Sequence, residues 1–207
     1  MDGDGRSITV TLATQTPGVH WVVGSQYSPR SKFPVMTQRF YEKTAEMISK
    51  IPPSDHITLC GDYNGAVGNA TSDPLQQEVV GKKNPSLVTL NGEKLIQLCI
   101  QFDLTLPQTF RDTGPDGGVT WLGNSMMRCK PRVYEYVVCR KRHRSWFSKI
   151  QVVHNWDGIR MPHYAVVAQI DSKYDRKDKH QPTKRMKQIK LEDRKPRVKL
   201  DSLSEEV

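Results

Sequence analysis

The sequence predicts a mixed α/β fold whose core is rich in sheet and built in layers. Short apolar runs of strand length alternate with two segments in which apolar residues recur at three- and four-residue steps. The chain has 207 residues, 36% hydrophobic and 26% charged, a composition typical of one globular domain. The later part of the chain is mostly β, so we expect a layered sandwich of helices and sheets.

The first predicted elements are two strands joined by a turn. Ser7–Ala13 and residues 19–27 are rich in β-branched and aromatic residues, and Thr16-Pro17-Gly18 between them has turn chemistry. This region therefore predicts a β-hairpin. A short buried strand is predicted at residues 57–60.

The apolar periodicity predicts two helices. Thr37 can cap the first, which Pro52-Pro53 ends, and the second follows Asn91. The residues expected on their apolar faces are Phe40, Tyr41, Thr44, Met47, Ile48 and Ile51 in the first helix, and Leu95, Leu98, Cys99 and Phe102 in the second. Further strands are predicted at residues 119–122, 133–139, 150–154 and 164–170.

The charge of the chain is concentrated at its C-terminal end. The formal net charge is +9, and residues 173–199 contain twelve basic and four acidic residues, a local excess of +8. Because residues 173–207 have too few apolar side chains to offset the entropy of ordering, we expect a disordered basic tail after a domain at residues 1–172. The tail is either a solvated connector or an arm that binds a polyanion, and the two roles are compatible.

The tail and the net charge favour a nucleic acid partner, with DNA expected first and RNA as an alternative. The basic residues expected to contact phosphates are Lys184, Arg185, Lys187, Lys190, Arg194 and Lys195. The oligomeric state is left open.

The sequence indicates neither a membrane protein nor a secreted one. No apolar run reaches the roughly 18 residues of a spanning helix, and the start of the chain lacks a signal peptide pattern. The four cysteines are isolated, which predicts buried free thiols rather than a zinc module or a disulfide framework. We expect a nuclear or cytosolic location.

The strongest local signal is Gly61-Asp62-Tyr63-Asn64 at the end of an apolar strand. Polar residues at such a position project from a rigid base into a cleft, where Asp62 could accept a proton and Asn64 could donate to an oxyanion. Asp, Asn and Gly after a strand are also ordinary turn residues, so this segment alone does not decide between the two interpretations.

Four other residues join this candidate site. Tyr27 ends a strand, Trp121 follows Thr120, Glu135 places a carboxylate in an apolar strand, and His163 precedes the last strand. Taken singly, each also has a structural explanation as an aromatic, core or strand-end residue.

In this order, the segments resemble the endonuclease/exonuclease/phosphatase superfamily, and within it the endonuclease domains of non-LTR retrotransposons and the craniofacial development protein 2-like proteins. The resemblance extends from about Ser7 to Ile170. The matching features are Tyr27-x-Pro29, Gly61 to Asn64, Asn91-Gly92, Thr120-Trp121, an Asp-Tyr box seen here as Glu135-Tyr136, and a Ser-Asp-His-Tyr box seen here as Met161 to Tyr164.

This resemblance implies a four-layer α/β/β/α sandwich of the DNase I-like type and Mg²⁺-dependent phosphodiester cleavage. By the same resemblance, Asp62 would orient or deprotonate the attacking water and Asn64 would hold phosphate and nucleophile. Tyr27 would contact the phosphate, and His163 would stabilise charge on it, with Glu135 as the partner of His163.

Three departures from the family pattern lower the expected activity. The first half of the family domain, with its metal-binding glutamate, has no counterpart before Ser7, so we expect a fold that is incomplete at the N-terminus. The aspartate expected before the histidine is Pro162, and Glu135 is one methylene longer than the family aspartate. Asp62 is then almost the only ligand left for Mg²⁺, so we expect weak or absent metal binding.

The leading hypothesis is accordingly a degenerate, retrotransposon-derived endonuclease domain that is inactive as this chain. One alternative is an active Mg²⁺-dependent DNA endonuclease. A second alternative is a non-catalytic nucleic-acid-binding module in which the basic tail contacts phosphates.

Overall fold

A computed structural model describes residues 6–69, 72–85, 87–114, 118–123, 130–154 and 162–171. All of them belong to the first of the two units into which the chain divides, Met1–Ser172. Its α-helices are α1 (Pro34–Ser49), α2 (Pro74–Val79) and α3 (Leu90–Gln101). Its strands are β1 (Ser7–Ala13), β2 (His20–Tyr27), β3 (His56–Asp62), β4 (Leu104–Thr105), β5 (Glu135–Arg140), β6 (Phe147–Val153) and β7 (Ala165–Ile170). Short 3₁₀ helices span Pro107–Phe110 and Lys141–Trp146.

The main sheet has five strands in the order β1-β2-β3-β5-β4. β1 and β2 form the predicted antiparallel hairpin, and β2 runs parallel to β3 after the crossover through α1. β5 is antiparallel to both β3 and β4. A second, antiparallel sheet pairs β6 with β7. The carboxyl ends of β2 and β3 therefore meet the beginning of β5 at one edge of the main sheet.

The central strands β3 and β5 of the main sheet bury side chains on both faces, because alternate residues of a strand project in opposite directions. On one face, Leu59 and Val138 pack with Leu95 of α3 and Phe40 of α1. The opposite face turns side chains such as Val137 and Cys139 toward the second sheet, where Phe147 and Ile150 are buried. Each large apolar side chain buried in this way contributes about 1.5–3 kcal/mol. Helix, sheet and sheet thus form successive layers of the predicted sandwich.

The predicted start of the first helix is wrong. α1 begins at Pro34, where the fixed backbone angle of proline suits the first turn of a helix, and no side chain caps its start. Thr37 is buried within the helix, and its hydroxyl donates to the carbonyl of Arg30 at 3.4 Å. The second helix begins one residue before Asn91, and Thr89 caps it by accepting the N–H of Gly92.

The strand predicted at residues 119–122 is also wrong. Among the described residues, Trp121 forms two isolated β-bridges, one to Arg132 and one to His163. This segment pairs with each neighbouring segment at a single residue. The segment therefore connects the chain around Arg132 to the chain around His163 and is not a strand of either sheet. Of the thiols predicted to be buried, Cys99 and Cys139 are, Cys60 is exposed, and Cys129 lies outside the described residues.

No helix in the described part of the chain has the length and apolar character needed to cross a bilayer. The predicted basic tail, including all six residues proposed to contact phosphates, lies outside the described residues.

Candidate active site

Three strand ends place polar side chains next to one another at one edge of the main sheet. Tyr27 ends β2 and Asp62 ends β3, and the two residues are register partners. β5 runs in the opposite direction, so its first residue, Glu135, lies opposite Asp62. Residues directly opposite each other project from the same face of a sheet. Since Val137, two residues after Glu135, faces the second sheet, Tyr27, Asp62 and Glu135 lie on that face as well.

His163 joins these residues from outside the main sheet. The Leu122 N–H donates to the carbonyl of Pro162 at 3.0 Å, and the Tyr164 N–H donates to the carbonyl of Thr120 at 2.6 Å, which fixes the backbone on both sides of His163. The His163 Nδ1 is hydrogen-bonded to Glu135 Oε1 and lies 4.0 Å from Asp62 Oδ2. The other ring nitrogen, Nε2, is therefore the one left for a substrate.

Asp62, Glu135 and His163 are named the carboxylate–histidine cluster below. Their ligand atoms all lie within 4.8 Å of one another. The side chains of Asp62 and Glu135 are 16% and 15% exposed, whereas that of His163 is 37% exposed. The two carboxylates thus form the floor of the cluster, and the imidazole is its accessible part.

Asn64 joins the loops that follow β2 and β3. Its backbone N–H donates to Asp62 Oδ1 at 2.7 Å, and its Nδ2 donates to the carbonyl of Ser28 at 2.8 Å. Its φ of +46° lies in the left-handed region, which asparagine tolerates better than most residues. Asn64 therefore restricts Asp62 and the segment after Tyr27 at the same time.

Two glycines of the sequence motifs allow close backbone approaches near the site. A Cβ at Gly61 would lie 1.9 Å from the carbonyl oxygen of Gln26, so only glycine lets β3 approach β2 here. A Cβ at Gly92 would lie 1.9 Å from the carbonyl oxygen of Ala66, which explains why the start of α3 needs glycine.

Burial is the largest influence on the pKa of the two carboxyl groups. Burial raises the pKa of Asp62, while the N–H of Asn64 and the charges of His163 and Arg30 act in the opposite direction. The pKa of Glu135 is also raised, chiefly by burial and further by the charge of Asp62, against hydrogen bonding to Thr120 and His163. Both groups are therefore easier to protonate than an ordinary carboxylic acid.

Two buried residues support the cluster and were not predicted as site residues from the sequence. The Thr120 hydroxyl oxygen accepts the N–H groups of Tyr134 at 2.9 Å and Glu135 at 3.2 Å. Gln108 donates through Nε2 to the carbonyl of Glu135 at 3.0 Å, and its Oε1 accepts the N–H of Val137 at 3.1 Å. Thr120 stands in the sequence as part of the Thr-Trp motif, and Gln108 carries no sequence signal, because its role depends on a 3₁₀ helix that packs beside β5.

The predicted site residues are therefore placed as follows. Asp62, Glu135 and His163 converge, Tyr27 lies beside Asp62 in the register, and Asn64 contacts Asp62. Glu135, one methylene longer than the family aspartate, reaches His163 with its side chain. Tyr27 is 47% exposed, and the guanidinium of Arg6 lies 5.5 Å from its ring centre.

Asp62, Glu135 and His163 could together hold a metal ion, because each offers a ligand atom within 4.8 Å of the others. Mg²⁺ requires near-octahedral oxygen coordination and is commonly held by one or two carboxylates together with substrate phosphate and water. Of the two carboxylates present, Glu135 is already bonded to His163, and Asp62 Oδ1 accepts the Asn64 N–H. Asp62 Oδ2, which lies 4.0 Å from His163 Nδ1, and the buried Glu135 Oε2 remain as the anionic oxygens of the cluster that a cation could contact.

No protein-family model and no curated protein sequence matches the chain. Solved structures do match, and the DNase I-like α/β fold that they share is the fold class of this chain.

One similar structure is the 3′ phosphatase NExo from Neisseria bound to a product DNA hairpin, with a TM-score of 0.52, 17% identity and coverage of 80% of this chain and 65% of that one. A second is the endonuclease domain of TRAS1, a telomere-specific non-LTR retrotransposon, with a TM-score of 0.52, 12% identity and coverage of 82% and 65%. A third is the catalytic domain of APE2 from Xenopus laevis, with a TM-score of 0.56, 17% identity and coverage of 81% and 55%. The chain thus spans about two thirds of the first two structures and about half of the third.

Proposed function

We propose that this chain is a nuclease-derived domain that binds nucleic acid at the carboxylate–histidine cluster and has lost efficient phosphodiester hydrolysis. The observation that carries the proposal is the pairing of His163 with Glu135 beside Asp62, which keeps the proton-transfer groups but engages one of the two carboxylates with the histidine. The order of the sequence motifs supports an origin in a retrotransposon endonuclease of the craniofacial development protein 2-like type.

The retained residues suit a phosphodiester. Asp62, whose pKa is raised by burial, is placed to accept a proton from an attacking water. His163 is held through Nδ1, so its Nε2 can contact a phosphate oxygen, and the exposed Tyr27 can contact a second one. The net charge of +9 favours a polyanionic strand over other phosphodiesters.

The predicted weakness lies in charge compensation. Phosphoryl transfer develops negative charge on the phosphate oxygens, and a hard cation supplies much of the compensation in such sites. Because Glu135 is bonded to His163, we expect Asp62 and Glu135 together to hold that cation only weakly before substrate binds.

A plasmid-nicking assay in the presence of Mg²⁺ or Mn²⁺ tests this proposal. We expect the wild-type chain to nick no faster than Asp62→Asn, while both retain a cooperative unfolding transition and bind duplex DNA. Nicking by the wild type that is at least tenfold faster, and is lost in both Asp62→Asn and His163→Gln, would contradict the loss of hydrolysis.

The second candidate is an active Mg²⁺-dependent DNA endonuclease. The observation that favours it is the intact contact between Glu135 and His163, which an inactive site has no need to preserve. Calorimetric titration with Mn²⁺ separates the candidates, because an active enzyme should bind the ion and Asp62→Asn should abolish that binding. Absence of binding in the wild type favours the degenerate domain.

We further propose that the basic tail supplies much of the affinity for DNA. For duplex DNA, the slope of log affinity against log salt becomes shallower by about 0.9 for each phosphate that the protein no longer neutralises. Replacing Lys184, Arg185, Lys187, Lys190, Arg194 and Lys195 together by Gln should therefore weaken binding at low salt and flatten the slope. An unchanged slope would assign DNA binding to the folded domain alone.

A further inference from the structure

The carboxylate–histidine cluster offers a different set of ligand atoms from the one that Mg²⁺ selects. His163 contributes the ring nitrogen Nδ1, and Asp62 and Glu135 contribute carboxylate oxygens. Mg²⁺ prefers oxygen ligands alone, whereas imidazole nitrogen suits the later first-row ions, among which Zn²⁺ also accepts carboxylate oxygens. Three protein ligands, with a fourth position left to water or substrate, are the usual composition of a functional zinc site. The ligand chemistry of the cluster therefore favours Zn²⁺ over Mg²⁺.

The three ligand atoms lie near the spacing that one zinc ion requires. Zn²⁺ binds nitrogen and carboxylate oxygen at about 2.0–2.2 Å, so the ligand atoms of a tetrahedral site lie about 3.3–3.6 Å apart. His163 Nδ1 lies 4.0 Å from Asp62 Oδ2, and all three ligand atoms lie within 4.8 Å of one another. The register of β3 and β5 fixes the backbone of both carboxylates, and hydrogen bonds fix the backbone beside His163. Side-chain movements of roughly an ångström are therefore sufficient to complete the site.

A divalent cation would also satisfy the buried charges of the cluster. The two charges of Zn²⁺ match those of the Asp62 and Glu135 carboxylates. Glu135 Oε2 is buried and has no hydrogen-bond partner of good geometry in the described part of the chain. A buried carboxylate oxygen without such a partner destabilises the folded state, and contact with a cation would offset this cost.

We propose that Asp62, Glu135 and His163 form a site for Zn²⁺, with a phosphate oxygen of nucleic acid as the fourth ligand. The fourth ligand rests on the proposed function, whereas the zinc site rests on the cluster alone. Zinc replaces the hydrogen bond between His163 Nδ1 and Glu135 Oε1. Nδ1 binds the ion through its lone pair, and the single proton of the neutral ring then resides on Nε2.

Zinc binding and proton transfer exclude each other at this cluster. Asp62 Oδ2 can accept a proton from water only while it binds no cation, and it is also the Asp62 oxygen that faces His163 Nδ1. Bound zinc therefore converts the cluster from a group that accepts protons into one that holds phosphate. This conversion accords with a domain that binds nucleic acid without cleaving it efficiently.

Titration of the full chain with Zn²⁺ against a chromophoric chelator tests the site. We expect a molar excess of Mg²⁺ of about a hundredfold not to displace the zinc. His163→Gln and Asp62→Asn should each increase the Zn²⁺ dissociation constant by at least about a hundredfold, because losing even an outer-shell partner of a ligand costs about 10–100-fold.

The matched controls are a histidine and a thiol outside the cluster. His143→Gln replaces a buried histidine at the other end of the sheet, and Cys60→Ser removes an exposed thiol that could itself bind zinc. Both variants should leave the Zn²⁺ dissociation constant within about threefold of the wild-type value, because neither side chain belongs to the proposed ligand set.

A spectroscopic measurement guards against variants that fail to fold. Four-coordinate Co²⁺ absorbs visible light far more strongly than the hydrated ion, so Co²⁺ should colour the wild-type chain and Zn²⁺ should remove the colour. His163→Gln with a cooperative unfolding transition should give no colour, and Cys60→Ser should give the wild-type spectrum. A wild type that binds Zn²⁺ no more tightly than His163→Gln, or a colour lost only in Cys60→Ser, would overturn the proposal.

DNA binding separates a failure of the zinc site from a failure of the proposed function. After metal is removed with EDTA, an equivalent of Zn²⁺ should tighten duplex DNA binding to the wild type by about tenfold and leave His163→Gln unchanged. Zinc binding without this gain would reject phosphate as the fourth ligand. A wild type that binds DNA without nicking it and binds no zinc would reject the zinc site alone, whereas fast nicking with Mg²⁺ would contradict the proposed loss of hydrolysis.

Discussion

The two ends of β3 hold buried polar groups of opposite character. At the carboxyl end, two carboxylates, Asp62 and Glu135, face one histidine. At the amino end, the rings of His56 and His143 meet edge to face at a ring-centre distance of 4.5 Å, and Trp146 stacks on His143 at 4.1 Å. We name His56, His143, Trp21 and Trp146 the far-end cluster.

The partners of the histidines explain what each end can do. His163 is bonded to a carboxylate, which fixes its orientation and leaves Nε2 accessible. His143 instead accepts a hydrogen bond from Arg142 Nε at 3.0 Å, and burial together with His56, Arg142 and Arg140 lowers its pKa to about 4. A histidine held neutral among cations and aromatic rings is a packing group, so histidine content alone does not identify a site.

The largest effect is expected where a single hydroxyl supports the carboxylate–histidine cluster. Thr120→Val keeps the shape of the side chain but leaves the N–H groups of Tyr134 and Glu135 without their acceptor, since Thr120 is only 1% exposed. We expect the free energy of unfolding to decrease by about 2–4 kcal/mol. Urea unfolding followed by circular dichroism measures this loss.

The matched control is a threonine that contacts the far-end cluster. Thr58 accepts one hydrogen bond, from the indole N–H of Trp21 at 3.0 Å. Thr58→Val removes one partner of a half-buried donor, so its cost should be only about 1 kcal/mol. If Thr120→Val and Thr58→Val decreased the free energy of unfolding equally, the hydrogen bonds at the two ends of β3 would contribute equally to stability.

The next effect is the response of the far-end cluster to acid. The ordinary pKa of histidine is 6.5, and that of His143 in the folded chain is about 4. Between these values the unfolded chain binds a proton that the folded chain does not, so the free energy of unfolding decreases as the pH falls through this window. Allowing for solvent screening, we expect His143 to account for roughly 1–2 kcal/mol, and His56, whose pKa is also lowered by burial, to act in the same direction.

Unfolding in urea at a series of pH values checks this response. His143→Gln can still accept from Arg142 but cannot titrate, so its stability should depend less steeply on pH in that window. Thr58→Val retains both histidines and should keep the wild-type slope. A His143→Gln chain with an undiminished slope would assign the acid sensitivity to other groups.

The sequence predicts those parts of the fold that depend on local pattern. Strand alternation and turn chemistry were sufficient for the β1–β2 hairpin, and apolar periodicity located α1 and α3. Local pattern misled at Thr37, because Pro34 extends the helix, and it missed α2, whose Asp73-Pro74 start has the composition of a turn. The pattern at residues 119–122 suits a strand, but the tertiary fold offers Trp121 only single-residue bridges.

The candidate site was predicted from residues at strand ends, and the structure adds what depends on three-dimensional packing. Asp62 and Glu135 lie 73 positions apart in the sequence, and only the antiparallel register of β3 and β5 places them opposite each other. The reach of Glu135 toward His163 depends on how Thr120 holds both segments. Likewise, the alternation of β1 predicts an apolar face, and the structure adds that Ile8, Val10 and Leu12 on this face are about half exposed among the described residues.

The smallest expected effect is at the carboxyl end of β3, where the buried charge of Asp62 should lower the free energy of unfolding at neutral pH. Because the pKa of Asp62 is raised in the folded chain, folding favours its protonated form, and its contribution to stability decreases as the pH rises through that raised pKa. The side chain introduced by Asp62→Asn is uncharged at every pH and can still accept the Asn64 N–H. At neutral pH the substitution should therefore increase the free energy of unfolding by up to about 1 kcal/mol. Below pH 3.8, the ordinary pKa of an aspartate, it should give no such increase. Asp55→Asn at the far end should show no such gain, since Asp55 Oδ2 lies 3.5 Å from His20 Nδ1 and the amide would remove that pair. If Asp62→Asn is less stable than the wild type at neutral pH, the attraction of the Asp62 charge to His163 and Arg30 outweighs the desolvation of that charge. The charged groups at the two ends of β3 would then differ in kind but not in their effect on stability.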